Sequence, residues 1–405
     1  MSRRMTALSG CVIAPRGTDR SARRTLTAVE KTRSVDSRER TLLALDHEEP
    51  DRVPTDCWMT SGTRRKLLAQ TGLAFEAFLE AHDVDLRYVE GPRYVGPAGG
   101  GPVSARDVDL WGVPRKRVEL LLDDGAGRFG ETYREVTASP LAGCGSVEEV
   151  LGYDYWPSPD WFDYSDVEAQ CRRVRDAGRV VVFMGDRLNR LAQLKPAMYL
   201  RGVERILLDM VEEPEVARAI FGRISAFYLE YGRRVLESAR GMIDILCTGD
   251  DFGAQAGLLI SPQMWDAYLR RGFEDYISLG HGFGAKAMHH SCGSVYDLLP
   301  RMIDCGLDIL QSIQPEAANM DPVDLKRRFG AQIAFQGGVS IQNVLPHGSP
   351  EDVREHVETL FAAMAPGGGY IAGTSHNIQV DTPVRNIEAL YRAFGEFGEY
   401  RNTSM

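Results

Sequence analysis

A histidine and a cysteine two residues apart are the clearest chemical signal in this sequence. The stretch Met288–Ser294 places His290 and Cys292 at the end of a short apolar run, just before a glycine. Side chains two apart on a β-strand point to the same side of the sheet, so we expect both to face one way. An imidazole and a thiolate suit a borderline metal such as zinc. The pair predicts two ligands of a metal site that needs a third ligand from elsewhere.

Short β-branched runs alternate with longer helical patterns along the chain. Strand followed by helix, repeated, predicts a parallel sheet, and eight such units predict a (β/α)8 TIM barrel. An open, doubly wound sheet is the alternative, but no Gly-x-Gly-x-x-Gly opens a helix after the first strand. The eight predicted strands are Val53–Cys57, Val84–Tyr88, Val180–Met184, Met242–Thr248, Ala285–His290, Leu307–Gln311, Gln332–Gln336 and Gly369–Thr374.

Residues 91–158 interrupt this alternation. They are rich in glycine, charge and turn signals, and the alternating pattern of Glu131–Val136 predicts a hairpin. We therefore predict an insertion after the second strand that folds over the barrel mouth. Such an insertion could act as a lid or serve as structural cover.

Composition and charge narrow the class of protein. The chain has 405 residues, no apolar run long enough for a membrane span, and a net charge of −10, which argues against general nucleic-acid binding.

Residues 1–40 carry ten Lys/Arg against four Asp/Glu. We predict that residues 1–36 are a disordered basic extension, with a targeting or regulatory arm as the alternative, and that 37–405 form one domain. Seven cysteines without a Cys-x-x-Cys pair favour a reducing cytoplasm.

Polar residues are concentrated where the predicted strands end, which is where barrels of this type carry out chemistry. Asp186 could equally cap the next helix. Arg64, Arg65 and Arg187 are the cations that a carboxylate substrate would require. The predicted substrate-binding residues are Asp56, Trp58, Asp186, Gln255, Gln336 and Gln379.

Asp250 and Asp251 follow the fourth predicted strand as an adjacent pair. Two neighbouring carboxylates repel each other, and burial raises the pKa of a carboxyl group. One of them could bind a substrate cation or act as a general acid or base. We therefore predict a catalytic role for this pair.

His376 is the predicted third metal ligand. It follows the last strand, at the same barrel end as His290 and Cys292, and a barrel mouth is narrow enough for the three to meet. Three protein ligands and an open fourth position are typical of catalytic zinc. The same residues could instead bind an organic substrate, or Cys292 could be a nucleophile with His290 as its base. By the strand period His289 points the other way, and we predict that it packs between barrel and helix.

A series of short motifs spans residues 37–400. They are Arg38-Glu39-Arg40, Pro50-Asp51-Arg52-Val53-Pro54, Asp109-Leu110-Trp111-Gly112, Pro140-Leu141-Ala142, Gly249-Asp250-Asp251, Leu259-Ile260-Ser261-Pro262, His290-Ser291-Cys292-Gly293-Ser294, Gly337-Gly338, Pro366-Gly367-Gly368-Gly369-Tyr370 and His376-Asn377-Ile378-Gln379. In their order and spacing the chain resembles the uroporphyrinogen decarboxylase superfamily, in particular bacterial members related to the cobamide-dependent methyltransferases. The resemblance implies a (β/α)8 barrel.

The two branches of that superfamily imply different chemistry. The porphyrinogen decarboxylases work without metal and grip substrate carboxylates with an arginine-rich segment after the first strand, whose usual pattern is absent here. The methyltransferases bind zinc through His-x-Cys and a later cysteine. His290 and Cys292 match the first two ligands, and His376 stands where the cysteine is expected. One thiolate and two imidazoles would leave more positive charge on zinc than two thiolates and one imidazole.

Three functions follow from these residues and the resemblance. The first is a zinc-dependent methyltransferase that moves a methyl group between a small molecule and a thiol, or a corrinoid carried by a partner protein. The second is a metal-free decarboxylase or lyase acting on a small carboxylate. The third is a ligand-binding barrel without catalysis. Analogy with the family makes a homodimer plausible.

Overall fold

The computed structural model describes residues 35–97, 107–123, 127–185 and 190–400. Within these ranges seven parallel strands form one sheet, in which each strand is hydrogen-bonded to the next one along the chain. Each overlaps one of the predicted strands, and the α/β fold is TIM-barrel-like, as predicted. The strands are Leu86–Val89, Val180–Phe183, Ile245–Gly249, Lys286–His290, Ile309–Ile313, Ala334–Val339 and Tyr370–Thr374.

The predicted first strand, 53–57, is not a regular strand. Thr55 forms a single parallel bridge to Ala372, and Asp85 N–H donates to the Thr55 carbonyl at 3.1 Å on the other side. The segment therefore lies between the last and first strands of the sheet. Pro54 has no N–H to donate, which shortens the ladder. A few backbone hydrogen bonds therefore close the barrel at this segment.

Buried aspartates stabilise the opposite end of the sheet, where the strands begin. Asp85 accepts the Thr55 N–H at 2.7 Å and pairs with Arg40 at 2.6 Å and Arg52 at 2.8 Å. Asp244 accepts the Val181 N–H at 2.9 Å in the same way. Paired and hydrogen-bonded buried charges of this kind hold neighbouring strands in register. These contacts therefore stabilise this end of the barrel.

Helices cover the outside of the sheet. Ser261 and Ser349 cap helices that begin with proline. Residues 203–238 form two helices, because Pro214 begins a new one. The α-helices are Ser37–Leu45, Ser61–Thr71, Phe75–Ala81, Val147–Leu151, Val167–Asp176, Leu194–Arg201, Val203–Glu212, Pro214–Ser238, Pro262–Tyr268, Arg270–Gly282, Leu299–Asp304, Pro322–Phe329, Val344–His347, Pro350–Met364 and Val384–Phe397. Among the described helices none has the length and apolar character needed to cross a membrane.

The insertion contains the predicted hairpin, formed by the antiparallel strands Arg115–Asp123 and Arg128–Val136. Glu131 anchors it to the helix that follows Trp58, because its carboxylate accepts the Gly62 N–H at 2.6 Å and the Ser61 hydroxyl at 2.8 Å. Among the described residues, three pairs of strands lie outside the barrel sheet. The other two are Arg93–Tyr94 with Phe162–Asp163, and Gly253–Ala254 with Gly257–Leu258.

The residues described here belong to one compact unit that begins at Val35. The predicted extension, residues 1–36, lies almost wholly outside the described residues. Asp36, at its end, caps the first helix by accepting the Glu39 N–H at 2.7 Å.

Candidate metal centre

The three predicted metal ligands lie together at one end of the barrel. His290 ends its strand, Cys292 follows two residues later, and His376 follows the strand Tyr370–Thr374. One ligand atom from each of the three lies within 4.8 Å of the others. Cys292 Sγ is 3.5 Å from His290 Nε2. The convergence predicted for these side chains is confirmed.

Hydrogen bonds orient His290 through the ring nitrogen that does not face Cys292. Its Nδ1 faces Oε1 of Gln311 at 3.2 Å. An amide oxygen can only accept, so Nδ1 carries the proton and the lone pair of Nε2 faces Cys292. Gln311 Nε2 in turn contacts the Tyr88 hydroxyl at 3.4 Å, and that hydroxyl donates to Asp56 at 2.7 Å. Metal-binding histidines are commonly held this way by a partner on the second ring nitrogen.

His376 is fixed by its backbone and by Trp58. Thr374 Oγ1 donates to the His376 carbonyl at 2.5 Å, and the imidazole lies with its ring centre 5.1 Å from that of Trp58. Its Nδ1 is buried and has no hydrogen-bond partner among the residues that the structure describes. A buried polar atom without a partner is costly unless a ligand satisfies it.

The donor set fits zinc. One sulfur and two imidazole nitrogens are zinc ligands, and ligand atoms within 4.8 Å of one another can surround a tetrahedral ion with small side-chain movements. Burial and, to a lesser extent, the nearby Asp251 carboxylate raise the pKa of the Cys292 thiol to about 12. A thiol in this position needs a cation to ionise at neutral pH. These surroundings favour metal ligation over the alternative in which Cys292 is a free nucleophile.

Asp250 and Asp251 have different surroundings although they are adjacent. Asp250 is buried, and its carboxylate accepts the N–H groups of Gln193, Leu194 and Lys195 at 2.5 to 2.7 Å. These are the first backbone donors of the helix Leu194–Arg201 and its preceding residue. Burial raises the pKa of Asp250 to about 6. Its contacts make it a cap that holds this helix at the barrel mouth.

Asp251 lies beside the ligand cluster. It pairs with the Lys195 ammonium, accepts the Cys292 N–H at 3.1 Å, and lies 3.9 Å from His290 Nε2. Burial disfavours its ionisation, but the positive charge of Lys195 and the hydrogen bonds outweigh this and lower the pKa of the carboxyl. Asp251 is therefore held as a carboxylate, which suits charge stabilisation and positioning better than proton uptake.

A small cleft of about 30 Å³, partly open to solvent, adjoins this cluster. Sequence reasoning missed two cations that line it, Arg190 and Lys195. The Arg190 guanidinium lies 5.5 Å from the ring centre of Trp58, and Gly249 makes room for it, since a Cβ there would lie 2.1 Å from Arg190 Cδ. The cleft is lined by Trp111, Arg190, Ala192, Lys195, Pro196, Tyr199, Tyr228, Gly249 and Asp251.

The cations that the sequence suggested for a carboxylate lie elsewhere or are not described. Arg64 stacks on Phe75, with 3.9 Å between the guanidinium carbon and the ring centre, and Arg65 donates to the Gly130 carbonyl at 2.7 Å. Arg187 lies outside the described residues. Any positive charge that the described part of the chain brings to the cleft therefore comes from Arg190 and Lys195.

The predicted substrate-binding residues separate into two groups. Asp56 and Gln336 are buried and hydrogen-bonded to each other at 2.8 Å. Asp56 also accepts the hydrogen bond from the Tyr88 hydroxyl. Trp58 contacts two imidazoles of the candidate metal centre, with ring centres 5.4 Å from His290 and 5.1 Å from His376. Burial raises the pKa of Asp56 to about 6.

The other three are less closely connected to this cluster. Gln379 is half-buried, three residues after His376. Gln255 is exposed on the turn of the short hairpin that follows Asp251. Asp186 lies outside the described residues, so its predicted role stays a prediction.

His289 packs as expected from the strand period. Its ring stacks on Phe252, with ring centres 5.2 Å apart, and meets the edge of Phe273 on the helix Arg270–Gly282. Its Nδ1 lies 2.7 Å from the Thr248 hydroxyl. His289 is therefore a packed core residue between the sheet and its covering helix.

Comparisons with known proteins agree with this fold. The profile of the uroporphyrinogen decarboxylase (URO-D) family matches residues 192–397, just over half of the chain. A methyltransferase from Methanosarcina mazei superposes with a TM-score of 0.63 over 90% of this chain and 99% of that one, at 17% identity, which shows a shared fold.

Curated relatives match over short segments. The uroporphyrinogen decarboxylase of Serratia proteamaculans is 31% identical over 81 residues, which is 19% of this chain and 22% of that protein. The enzyme of Pseudoalteromonas translucida is 32% identical over 74 residues, 18% of this chain and 20% of that protein. The matched segments thus span about a fifth of each relative. The family profile covers Asp251, His290, Cys292 and His376 and more than half of the chain, and on this basis the chain belongs to the uroporphyrinogen decarboxylase family.

Proposed function

We propose that this protein is a zinc-dependent methyltransferase that moves a methyl group between a small molecule and a thiol or corrinoid acceptor. The convergence of His290, Cys292 and His376 is the observation that carries the proposal. These three side chains would hold the metal and leave a position open towards the cleft. Zinc, when bound, supplies a Lewis acid that polarises the heteroatom gaining or losing the methyl group.

The residues around the ligands would position the reaction. Gln311 keeps the Nε2 lone pair of His290 directed at the metal position. Asp251, held ionised by Lys195, would offset the positive charge of the centre. The methyl group leaves its donor without the bonding electrons, the acceptor heteroatom supplies the electron pair of the new bond, and a thiol acceptor gives its proton to solvent. Asp250 would act indirectly, by fixing the helix that carries Lys195.

A corrinoid would have to come from a partner protein. The sequence contains no Asp-x-His-x-x-Gly segment of the kind that binds cobalamin. A small corrinoid protein encoded beside this gene would support a corrinoid acceptor over a free thiol.

Metal analysis tests the proposal. We expect about one zinc per chain after zinc loading and gel filtration. Cys292→Ser and His376→Ala should each lower the zinc content sharply. Two matched controls should retain zinc. They are Cys305→Ser, at a half-buried free cysteine, and His347→Ala, at an exposed histidine. A content below about 0.1 zinc per chain that zinc loading does not raise would rule the proposal out.

The cationic cleft favours a second candidate, a metal-free decarboxylase acting on a small carboxylate. Arg190 and Lys195 could bind the carboxylate without metal. Release of CO₂ from a substrate in the presence of a strong chelator would favour this candidate. Loss of all turnover on chelation and its return with zinc would exclude it.

A further inference from the structure

The charge of the cleft is unbalanced beside the metal ligands. Among the residues that the structure describes, its lining contains two cations, Arg190 and Lys195, and one carboxylate, Asp251. The carboxylate pairs with Lys195. Nε of Arg190 is buried and has no hydrogen-bond partner among the described residues. A partly buried guanidinium in this position calls for an anion.

The surroundings of Arg190 show that its position is built into the fold. Gly249 ends a barrel strand, and the side chain of Arg190 passes so close to it that any Cβ would collide with Arg190 Cδ at 2.1 Å. The Gly249 N–H also donates to the Leu191 carbonyl at 3.0 Å, which ties the residue after Arg190 to the strand. These contacts hold the guanidinium over the Trp58 ring.

Arg190 and the metal ligands share one aromatic neighbour. The Trp58 ring centre lies 5.5 Å from the guanidinium, 5.4 Å from the His290 ring and 5.1 Å from the His376 ring. A small molecule that lies along the Trp58 ring would therefore reach both the guanidinium and the two imidazoles. The aromatic side chains of Trp111, Tyr199 and Tyr228 line the cleft and suit a flat or apolar body.

We propose that Arg190 is the specificity-determining residue for a small substrate that carries a carboxylate. The carboxylate pairs with the Arg190 guanidinium, which matches its two oxygens in a fork, and the heteroatom at the other end of the molecule faces His290, Cys292 and His376. The body of the substrate lies along Trp58. The role of the heteroatom rests on the proposed function. The carboxylate subsite depends on Arg190 and not on the metal.

Binding of two matched probes tests the inference. Para-mercaptobenzoate and para-mercaptobenzamide share a thiol and a ring, and only the first has a carboxylate. We expect calorimetry on the zinc-loaded protein to show at least about tenfold tighter binding of the acid. Arg190→Met should reduce this preference to about one, and Arg190→Lys should keep an intermediate preference, since an ammonium retains charge without the fork. Arg271→Met, on an arginine that is 85% exposed, is the control and should leave the preference unchanged.

The outcomes separate the inference from the proposed function. Equal affinity for acid and amide in a protein that holds zinc would overturn the carboxylate subsite and leave the metal chemistry in place. An Arg190-dependent preference for benzoate over benzamide in a protein that takes up no zinc would support the subsite and overturn the methyltransferase. If Arg190→Met does not fold, the comparison of Arg190→Lys with the wild type decides, because an unchanged preference there would also contradict the fork.

Discussion

The side-chain amide of Gln311 faces Nδ1 of His290 at 3.2 Å, so the ring nitrogen that points at Cys292 is left with its lone pair. Gln311 is fully buried on the neighbouring strand and is tied through Tyr88 to Asp56. The interior of the barrel thus orients His290 with the lone pair that a metal ligand would need.

Removing this amide should weaken metal binding. We expect Gln311→Leu to lower zinc affinity by about 10–100-fold, because His290 loses the partner that sets its tautomer and orientation. Competition with a chromophoric chelator measures the effect. Gln332→Leu, on an exposed glutamine, is the matched control and should bind zinc as the wild type does. Wild-type affinity in Gln311→Leu would show that the hydrogen bond has no role in ligation.

Replacing the unusual third ligand tests the composition of the site. His376→Cys would give two thiolates and one imidazole, the set expected for the methyltransferase branch. With cobalt(II) in place of zinc, we expect the thiolate-to-metal absorption per chain to be about twice that of the wild type. Cys292→Ser should abolish this absorption in the wild-type background. An unchanged spectrum in His376→Cys would mean that residue 376 does not reach the metal.

The two adjacent aspartates should respond differently to loss of charge. Asp250→Asn turns one acceptor oxygen into a donor that faces backbone N–H groups, so we expect the free energy of unfolding to fall by about 1–3 kcal/mol. Asp251→Asn should cost less stability, because Asp251 is not a helix cap, but should alter binding of the mercaptobenzoate probe. Urea unfolding and calorimetry measure the two effects. Equal stability losses would contradict this division of roles.

Asp56 should make stability depend on pH. Burial raises the pKa of its carboxyl to about 6, above the value in the unfolded chain. Between about pH 4 and pH 6 the folded protein therefore holds a proton that the unfolded chain has lost, so the contribution of Asp56 is most favourable at low pH and is lost as pH rises through the folded pKa. Asp56→Asn removes this titration.

The difference in free energy of unfolding, wild type minus Asp56→Asn, should therefore fall by about 1–3 kcal/mol between about pH 4 and pH 7. Urea unfolding with chelator present, so that metal release does not contribute, measures it at each pH. Asp304→Asn, at an exposed position, is the control and should show no such trend. A constant difference across this range would show that Asp56 is not perturbed by burial.

The ligand cluster was predictable because its geometry follows from strand period and barrel topology. His290 and Cys292 share a side of one strand end, and His376 lies at the same barrel end after the last strand. The roles of Asp250 and Asp251 were not predictable, because the backbone donors that occupy Asp250 come from residues 193–195, far along the chain. Gln311 could have been found, since a glutamine inside an apolar strand, Ile309–Ile313, needs a polar partner.

The placement of Arg190 and the irregular structure of residues 53–57 could not be predicted from sequence patterns. Arg190 lies between a strand and a helix, where no periodicity indicates the direction of a side chain, and its placement depends on Gly249 about 60 residues later. The first strand was predicted from a short run with β-branched residues at 53–57. Pro54 removes a backbone donor there, so the barrel is closed by a bridge at Thr55 and a few hydrogen bonds.

X-ray absorption at the zinc edge of the purified, zinc-loaded protein tests the central claim most directly. We expect one sulfur ligand at about 2.3 Å and two imidazole nitrogens at about 2.0 Å, with the sulfur lost in Cys292→Ser and one imidazole lost in His376→Ala. A zinc ion without a sulfur ligand, or a ligand shell that neither substitution changes, would contradict a metal centre formed by His290, Cys292 and His376.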